Sequence, residues 1–514
     1  MRHKKECPFL YAKITAFTAL LCVLTAGNAI LAKKKLQSLE SQATKSISQK
    51  LSFQNPPYIR AIYDNIPTFF DIDSLITKTL EEHRGIQTKA APKKKWTILV
   101  YIAADNDLNT FAYYNIKQMK RIGSSDKMNI IVELHTSQSK HKKTLHRMII
   151  EKDDLILAKS LSTPDDKIDS GDPSTLIDFC TWAIKNYPAE KIGLILWNHG
   201  IGVIDPVLHR GINPSDLFSF NTSTNLVELD RSVGFLDFIG SKMQQEKERG
   251  VCFDDSTGNY LTNDDLDMAL TEIIRENNNK KLSFVAFDAC LMSMIEIMAY
   301  LHKHAELMVG SQEVELGAGW NYAKVLSPIK DHDISKEDFV KHIVNVYEET
   351  YQGFFPDFTL AAIDLSKISP LIENIDITSQ HLLSALFNQK ANTVAKAISI
   401  SRNRKLCTSF DEPSYIDLDH FYSNLYSNVD RCTFSNKKEG EKTRTALKKT
   451  ITKGRSLIKE AVIINHAGEK LSRAQGISIY FPERRIHSSY RRTIFAHETS
   501  WIHMLSTLLN SREY

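Results

Sequence analysis

The sequence predicts an α/β fold, a mainly parallel central sheet with helices on both faces, followed by a helix-rich C-terminal region. Three observations carry that prediction. Residues 97–103, 192–197 and 282–287 are short runs of consecutive apolar residues, as strands covered on both faces must be. Stretches with helical spacing alternate with these runs, which is the pattern of right-handed β-α-β crossovers. Hydrophobic residues make up 42% of the chain and charged residues 25%, with no long Pro, Gly or Ser tract, the composition of a chain that buries real cores. A length of 514 residues at roughly 150 per domain implies two to four structural units.

The N-terminus reads differently from the rest. Arg2, His3, Lys4, Lys5 and Lys13 precede a mostly apolar run at 14–26, followed by Gly27, Asn28 and the cationic Lys33, Lys34 and Lys35. A basic flank, a short apolar centre and small residues make an export signal within 1–32. The competing reading is an uncleaved N-terminal anchor, because the run extends to Ala32 if Gly27 and Asn28 are tolerated, approaching the ~20 residues a span needs. Leu21 directly before Cys22 stands where a lipoprotein signal wants a small residue. Residues 33–95 are charged and end in a basic stretch at 88–95, a pro-segment or linker.

Organised pattern runs from 96 to 365. After the first buried run, Asp105, Asp107 and Asn109 read as turn and cap residues before a helix at 111–122 that stops at Gly123. A second strand follows at 129–134, a hairpin strand at 145–150, a helix at 174–185 and the buried run that ends in Asn198-His199-Gly200. Residues 201–260 lose periodicity and carry Arg231, Lys242, Lys247 and Arg249; a long polar insertion of this kind is a functional or cleavable loop. Order returns with a helix at 263–275 and the buried run that ends in Asp288-Ala289-Cys290, then a helix at 291–304 and a strand at 306–310. From 366 to 514 the pattern is a helix-rich subdomain with short strands at 461–464 and 476–482.

Polar groups at the carboxyl ends of parallel strands share one crevice, and His199 and Cys290 both occupy such positions. A thiol attacks as a thiolate, and a neighbouring imidazole can take or hold the proton. The helix expected to begin after Cys290 would lower the pKa of the thiol through its dipole. Gly200 permits close backbone approach, so its N–H together with that of Cys290 could form an oxyanion hole. Asp105 and Asp107 with Asn106 and Asn109, and Asp254 with Asp255 and Asn259, could bind a cation through oxygen, although the same residues cap turns.

Asn198-His199-Gly200 and Asp288-Ala289-Cys290-Leu291-Met292 resemble the paired signatures of the clostripain-like cysteine peptidases, a family of the caspase-like clan. Further blocks match in family order from about 96 onward: residues 101–108, Phe253-Asp254-Asp255, Gly319-Trp320, Tyr415-Ile416-Asp417-Leu418 and 476–482. The resemblance implies a caspase-like three-layer α/β/α sandwich, a His199/Cys290 dyad and endopeptidase activity on protein or peptide substrates. No redox cofactor is implied; some relatives need calcium, which leaves calcium a candidate ion. Several relatives are cut in the loop between the two catalytic strands. The family cleaves after Arg or Lys, and Asp288 matches one acid of the pocket for that residue, while a strand-end Asp also serves as a helix cap. Where relatives carry a second acid before the Gly-Trp pair, this chain has Ala318; Glu313 or Glu315 could supply the charge instead.

A formal charge of +4, from 65 basic and 61 acidic residues, gives no single-sign field for nucleic acid. No cysteine spacing makes a zinc ribbon, so no metal site is assigned. Loss of Cys7 and Cys22 with the leader would leave five cysteines, of which Cys407 and Cys432 could pair. The expected protein is therefore an exported cysteine endopeptidase. The alternatives are a catalytically silent binding protein or a membrane-tethered interaction protein on the same fold.

Overall fold

The computed structural model describes residues 91–511 apart from 140–141, 164–167, 206–216, 222, 225, 233, 243–249 and 388–390. The expected leader at 1–32 and nearly all of the charged segment at 33–95 lie outside these residues. In chain order come β1 (Lys94–Ala103), α1 (Asn109–Ile122), β2 (Met128–Ser139), β3 (Lys142–Glu151), β4 (Asp154–Thr163), α2 (Pro173–Asn186) and β5 (Ala189–Trp197). The polar region after β5 holds β6 (Phe218–Asn221), β7 (Leu226–Leu229), α3 (Phe235–Lys242) and the hairpin β8 (Gly250–Asp254) and β9 (Asn259–Thr262). Next are α4 (Asn263–Glu276), β10 (Leu282–Asp288), α5 (Ile295–Leu301), β11 (Ala305–Gly310), α6 (Tyr322–Asp331), α7 (Lys336–Tyr351) and β12 (Thr359–Asp364). The C-terminal region adds α8 (Ile368–Leu386), α9 (Ala391–Arg402), β13 (Tyr415–Asp417), α10 (Leu418–Asn428), α11 (Lys437–Ala461), β14 (Val462–Ala467), β15 (Ser478–Tyr480), α12 (Ile494–Glu498) and α13 (Trp501–Asn510).

Nine strands form one sheet in the order β14-β12-β11-β10-β5-β1-β2-β3-β4. The five central strands, β11 to β2, are parallel, and antiparallel strands close both sides. The central strands are buried along nearly their whole length, which is why they read as unbroken apolar runs. Helices pack in two groups, α1 with α6 and α7, and α2 with α4 and α5, the outer layers of the sandwich. The stretch after 366 is built into this frame, because β14 hydrogen-bonds to β12 at the sheet edge.

The contact between β5 and β10 is close. Gly193 stands opposite Phe284, and a Cβ on Gly193 would lie 2.2 Å from the Phe284 ring. That ring in turn packs against Trp96 and Phe339. No helix among the described residues is long and apolar enough to cross a membrane.

A Gly193→Val substitution overpacks this contact. The expected result is a loss of about 1–3 kcal/mol, read as a lower denaturant midpoint at unchanged slope; a midpoint equal to wild type would contradict the packing.

Candidate active site

In the parallel pair β5 and β10, Asp288 stands opposite Trp197. His199 and Cys290 lie two residues beyond that pair, on neighbouring strands about 4.8 Å apart, at one carboxyl rim. The Asn198 N–H donates to the Asp288 carbonyl at 3.3 Å, which continues the pairing past the strand ends. A Cβ on Gly200 would fall 2.5 Å from the Cys290 carbonyl oxygen. Glycine is therefore required where the two signatures touch, and the structure brings His199, Gly200, Asp288 and Cys290 together. Gly200 also forms an isolated antiparallel bridge with Val251 of β8.

The imidazole is held from the far side of β5. His199 Nε2 lies 2.9 Å from Asp107 Oδ1, on the turn between β1 and α1. Asn198 fixes the backbone before it: its Oδ1 accepts from the Phe253 N–H at 3.0 Å, and its amide donates to the Phe253 carbonyl at 3.1 Å and to the Ala103 carbonyl. Asn106 donates to the same two carbonyls, at 3.0 Å each. The oxygen cluster expected at 105–109 therefore does not converge on one point, since Asp107 faces His199 while Asp105 accepts from Ser137 and Ser256. Sequence reasoning took Asp107 for a turn residue; a carboxylate two positions past a strand-end Asp gives no signal that it will meet an imidazole 92 residues away.

The thiol departs from expectation. The helix after Cys290 starts only at Ile295, because Leu291 turns with φ +61° and Ser293 donates its N–H to the Ser311 carbonyl. Cys290 thus has no helix N-terminus beside it. Burial pushes its thiol well above the ordinary value, opposed by the Glu315 N–H, which donates to Sγ at 3.2 Å. The expectation of a lowered pKa is corrected for the chain in this closed state. Cys290 is 5% exposed and His199 7%, and the polar contacts of Sγ are with the Glu315 backbone, not with His199. Part of the cover is α3, whose Phe235 and Phe238 rings each pack 5.8 Å from the His199 ring.

Two carboxyl groups lie under the rim. Asp288 accepts from the Tyr322 hydroxyl at 2.8 Å and the Trp320 N–H at 3.2 Å, and so does not cap a helix. Glu315 Oε2 accepts from the Trp320 indole at 3.2 Å, while its buried Oε1 has no hydrogen-bond partner. Burial raises Asp288 to about 7 and raises Glu315 well above the carboxylate range, with the charge of Asp288 as the second cause for Glu315. A Cβ on Gly319 would lie 2.7 Å from Asp288 Oδ1, which explains the glycine before Trp320. Glu315, not Glu313, is thus the acid beside Asp288. Glu313 is instead paired with Arg231 at 3.2 Å, and accepts from the Val314 and Asp411 N–H groups. Cys407 and Cys432, which the sequence left open to pairing, are both free thiols. Among the described residues no His, Cys, Asp or Glu cluster is arranged to hold a metal.

The clostripain family model matches residues 100–210 and 238–507. The chain is similar to clostripain of Hathewaya histolytica, at 23% identity over 487 residues that cover 84% of each protein. Among solved structures it is similar to a secreted C11 cysteine protease from Bacteroides thetaiotaomicron in complex with an irreversible peptide inhibitor, at 18% identity and a TM-score of 0.50, covering 79% of this chain and 98% of that one. An inactive zymogen C11 protease from Parabacteroides distasonis gives 19% identity and a TM-score of 0.51, covering 80% and 99%. At these identities the structural likeness shows the fold.

Because burial raises the Cys290 thiol, alkylation of the closed chain is expected to be slow at neutral pH. The rate should climb with pH by up to about tenfold per unit between 7 and 9. Mass spectrometry of the Cys290 peptide, with Cys290→Ser as control, checks this; fast labelling that is flat with pH would show a thiolate already present.

Proposed function

Because the chain belongs to the clostripain family, and is a clostripain-like cysteine peptidase, we propose that Cys290 is its nucleophile and His199 the proton-transfer partner. The observation that carries this is the adjacency of the two residues on paired strand ends. His199 Nδ1 takes the proton from Sγ as the sulfur attacks the scissile carbonyl carbon, and the oxyanion forms between the N–H groups of Gly200 and Cys290. The C–N bond then breaks, His199 delivers a proton to the leaving amine, and water hydrolyses the thioester to free Cys290. Asp107 receives Nε2–H and leaves Nδ1 to carry the proton, the orienting role a third group plays beside a base. No step needs a metal or a redox cofactor, and calcium has no assigned place.

Asp288 and Glu315 form the pocket for the residue before the cut, and they favour Arg or Lys there. Two fully buried carboxyls with an orphaned Oε1 are costly unless a cation completes them. A basic side chain arriving in the pocket ionises both. Affinity for it must therefore rise with pH, since deprotonation of Asp288 near 7 is easier at higher pH.

The enzyme is exported, on the strength of its basic-then-apolar first 32 residues and of its likeness to the secreted Bacteroides protease. The closed rim is the unprocessed form, in keeping with the zymogen relative. Self-cleavage opens it after a basic residue between 231 and 249. Arg231 is not that residue, because its guanidinium is engaged by Glu313 and Asp357; the bonds after Lys242, Lys247 and Arg249 remain.

On peptides varied only at the residue before the cut, cleavage after Arg or Lys should dominate and vanish in Cys290→Ala. Asp288→Asn and Glu315→Gln should each lower kcat/KM for Arg peptides by about 10-fold or more while sparing neutral ones, and the Arg preference should grow from pH 6 to 8. Equal cleavage after neutral residues would remove the pocket assignment, and full activity in Cys290→Ala the nucleophile. N-terminal sequencing of the active enzyme should find fragments beginning at 243, 248 or 250; a fragment beginning at 232 would show that the Arg231 anchor is not kept.

A further inference from the structure

A second buried charge cluster lies behind the imidazole and takes no part in the proposed chemistry. Lys143, on β3, is almost wholly buried, and its Nζ donates to the Ile168 carbonyl and to Asp254 Oδ1, at 3.0 Å each. Asp105 Oδ2, buried and without a hydrogen-bond partner, lies 3.8 Å from the same nitrogen. The remaining carboxylate oxygens are occupied: Asp254 Oδ2 accepts from the N–H and the hydroxyl of Ser170, and Asp105 Oδ1 from the hydroxyls of Ser137 and Ser256. Two buried carboxyls, a carbonyl and one ammonium thus tie β3, the segment before α2, the turn after β1 and the β8–β9 hairpin into one knot.

From that knot two short paths lead to the rim. The Asp105 carbonyl accepts from the Asp255 N–H at 2.8 Å, which pins the hairpin to the turn whose Asp107 holds His199. Inside the hairpin, Phe253 adjoins Asp254 and exchanges hydrogen bonds with Asn198, the residue before His199. Without a cation at the centre, Asp105 and Asp254 would repel each other in a site with little water. The hairpin and the turn, which set the imidazole from opposite sides, would then separate.

We propose that the Lys143 ammonium is the built-in cation of this acid cage, and that Lys143 is a positioning residue acting on His199 through Asp107 and Asn198. The proposal rests on the reading of His199 as the proton-transfer partner. It separates alignment from substrate binding, because the cage shares no residue with the Asp288 and Glu315 pocket. A shift of about 1 Å in a reacting group is enough to cost about 10²-fold in rate.

The test uses the full chain in two variants, each assayed well below its own melting temperature. Lys143→Gln keeps a donor and drops the charge; kcat should fall about 10- to 100-fold, with KM for an Arg peptide within about twofold of wild type. Lys143→Arg keeps the charge and should recover part of that loss. A Gln variant with wild-type kcat, a loss confined to KM, or an Arg variant no better than Gln would each overturn the proposal. Should Lys143→Gln fail to fold, Ser256→Ala loosens Asp105 without stranding a charge, and should lower kcat severalfold at constant KM; an unchanged kcat there counts against the cage. Self-cleaved wild type that cleaves no peptide, and whose Cys290 resists labelling even at pH 9, would instead sink the peptidase reading, which distinguishes the two failures.

Discussion

The pairing of β5 with β10 is the constraint on which the rest of the molecule depends. Parallel strands in register deliver their carboxyl ends to one rim, and here the register puts Trp197 against Asp288, so both signatures emerge side by side. Nothing in the 90 residues between them has to be specific for that to happen. What must be specific is close approach, and glycine provides it twice, at Gly193 under the Phe284 ring and at Gly200 against the Cys290 carbonyl. A side chain at Gly200 would meet the Cys290 backbone, and one at Gly193 would displace the Phe284 ring.

Strand ends alone would leave the rim loops free to wander, and the C-terminal third prevents this. The Tyr415 hydroxyl accepts from the Val203 and Ile204 N–H groups and donates to the Ile201 carbonyl, fixing the chain directly after His199-Gly200. On the other signature, Ser293 donates to the Gly476 carbonyl and accepts at its own carbonyl from the N–H and the hydroxyl of Ser478. Gln312 joins Asp417 and the Gly476 N–H beneath the loop that carries Glu313 and Glu315. The two late sequence blocks, 415–418 and 476–482, are therefore the parts that grip the rim. Their distance from the catalytic signatures in sequence reflects only the route the chain takes to return there.

The elements legible in the sequence are those whose burial is uniform. The runs at 97–103, 192–197 and 282–287 showed themselves because a central parallel strand has no polar face, and the helices at 109–122, 173–186 and 263–276 because their packing faces repeat at helical spacing. β4, at one edge of the sheet, and β12, one strand in from the other, escaped. The helix after Cys290 was expected four residues early, since composition cannot register the left-handed turn at Leu291 or the backbone bond that holds Ser293. His199, Gly200, Asp288 and Cys290 were legible as residues at strand ends. The state of the thiol was not, because it depends on its burial and on the loop at 313–315 closing over it from elsewhere in the chain. Asp107 and Lys143 were invisible for a related reason: a buried ion pair leaves no trace in local sequence when its members come from different elements.

These buried charges can be sorted by what completes them. Asp254 and Asp105 share Lys143, and Glu313 and Asp357 share Arg231, so each of these pairs has a cation from within the chain and ties segments together. Asp288 and Glu315 have only neutral donors, from Trp320 and Tyr322, and one Glu315 oxygen has none at all. Burying a carboxyl pair in that way weakens the fold unless a partner arrives from outside. Glu296 is equally buried, with only neutral donors from Tyr480 and Tyr490 and an unpartnered Oε2, but it is bound to β15, whereas Asp288 and Glu315 lie next to the proposed nucleophile, where the proposed function brings a basic substrate side chain. Under the proposed assignments the two tasks are kept apart: the acids given to the substrate lie on the β10 side of the rim, and those given to His199 lie across β5, around the turn after β1.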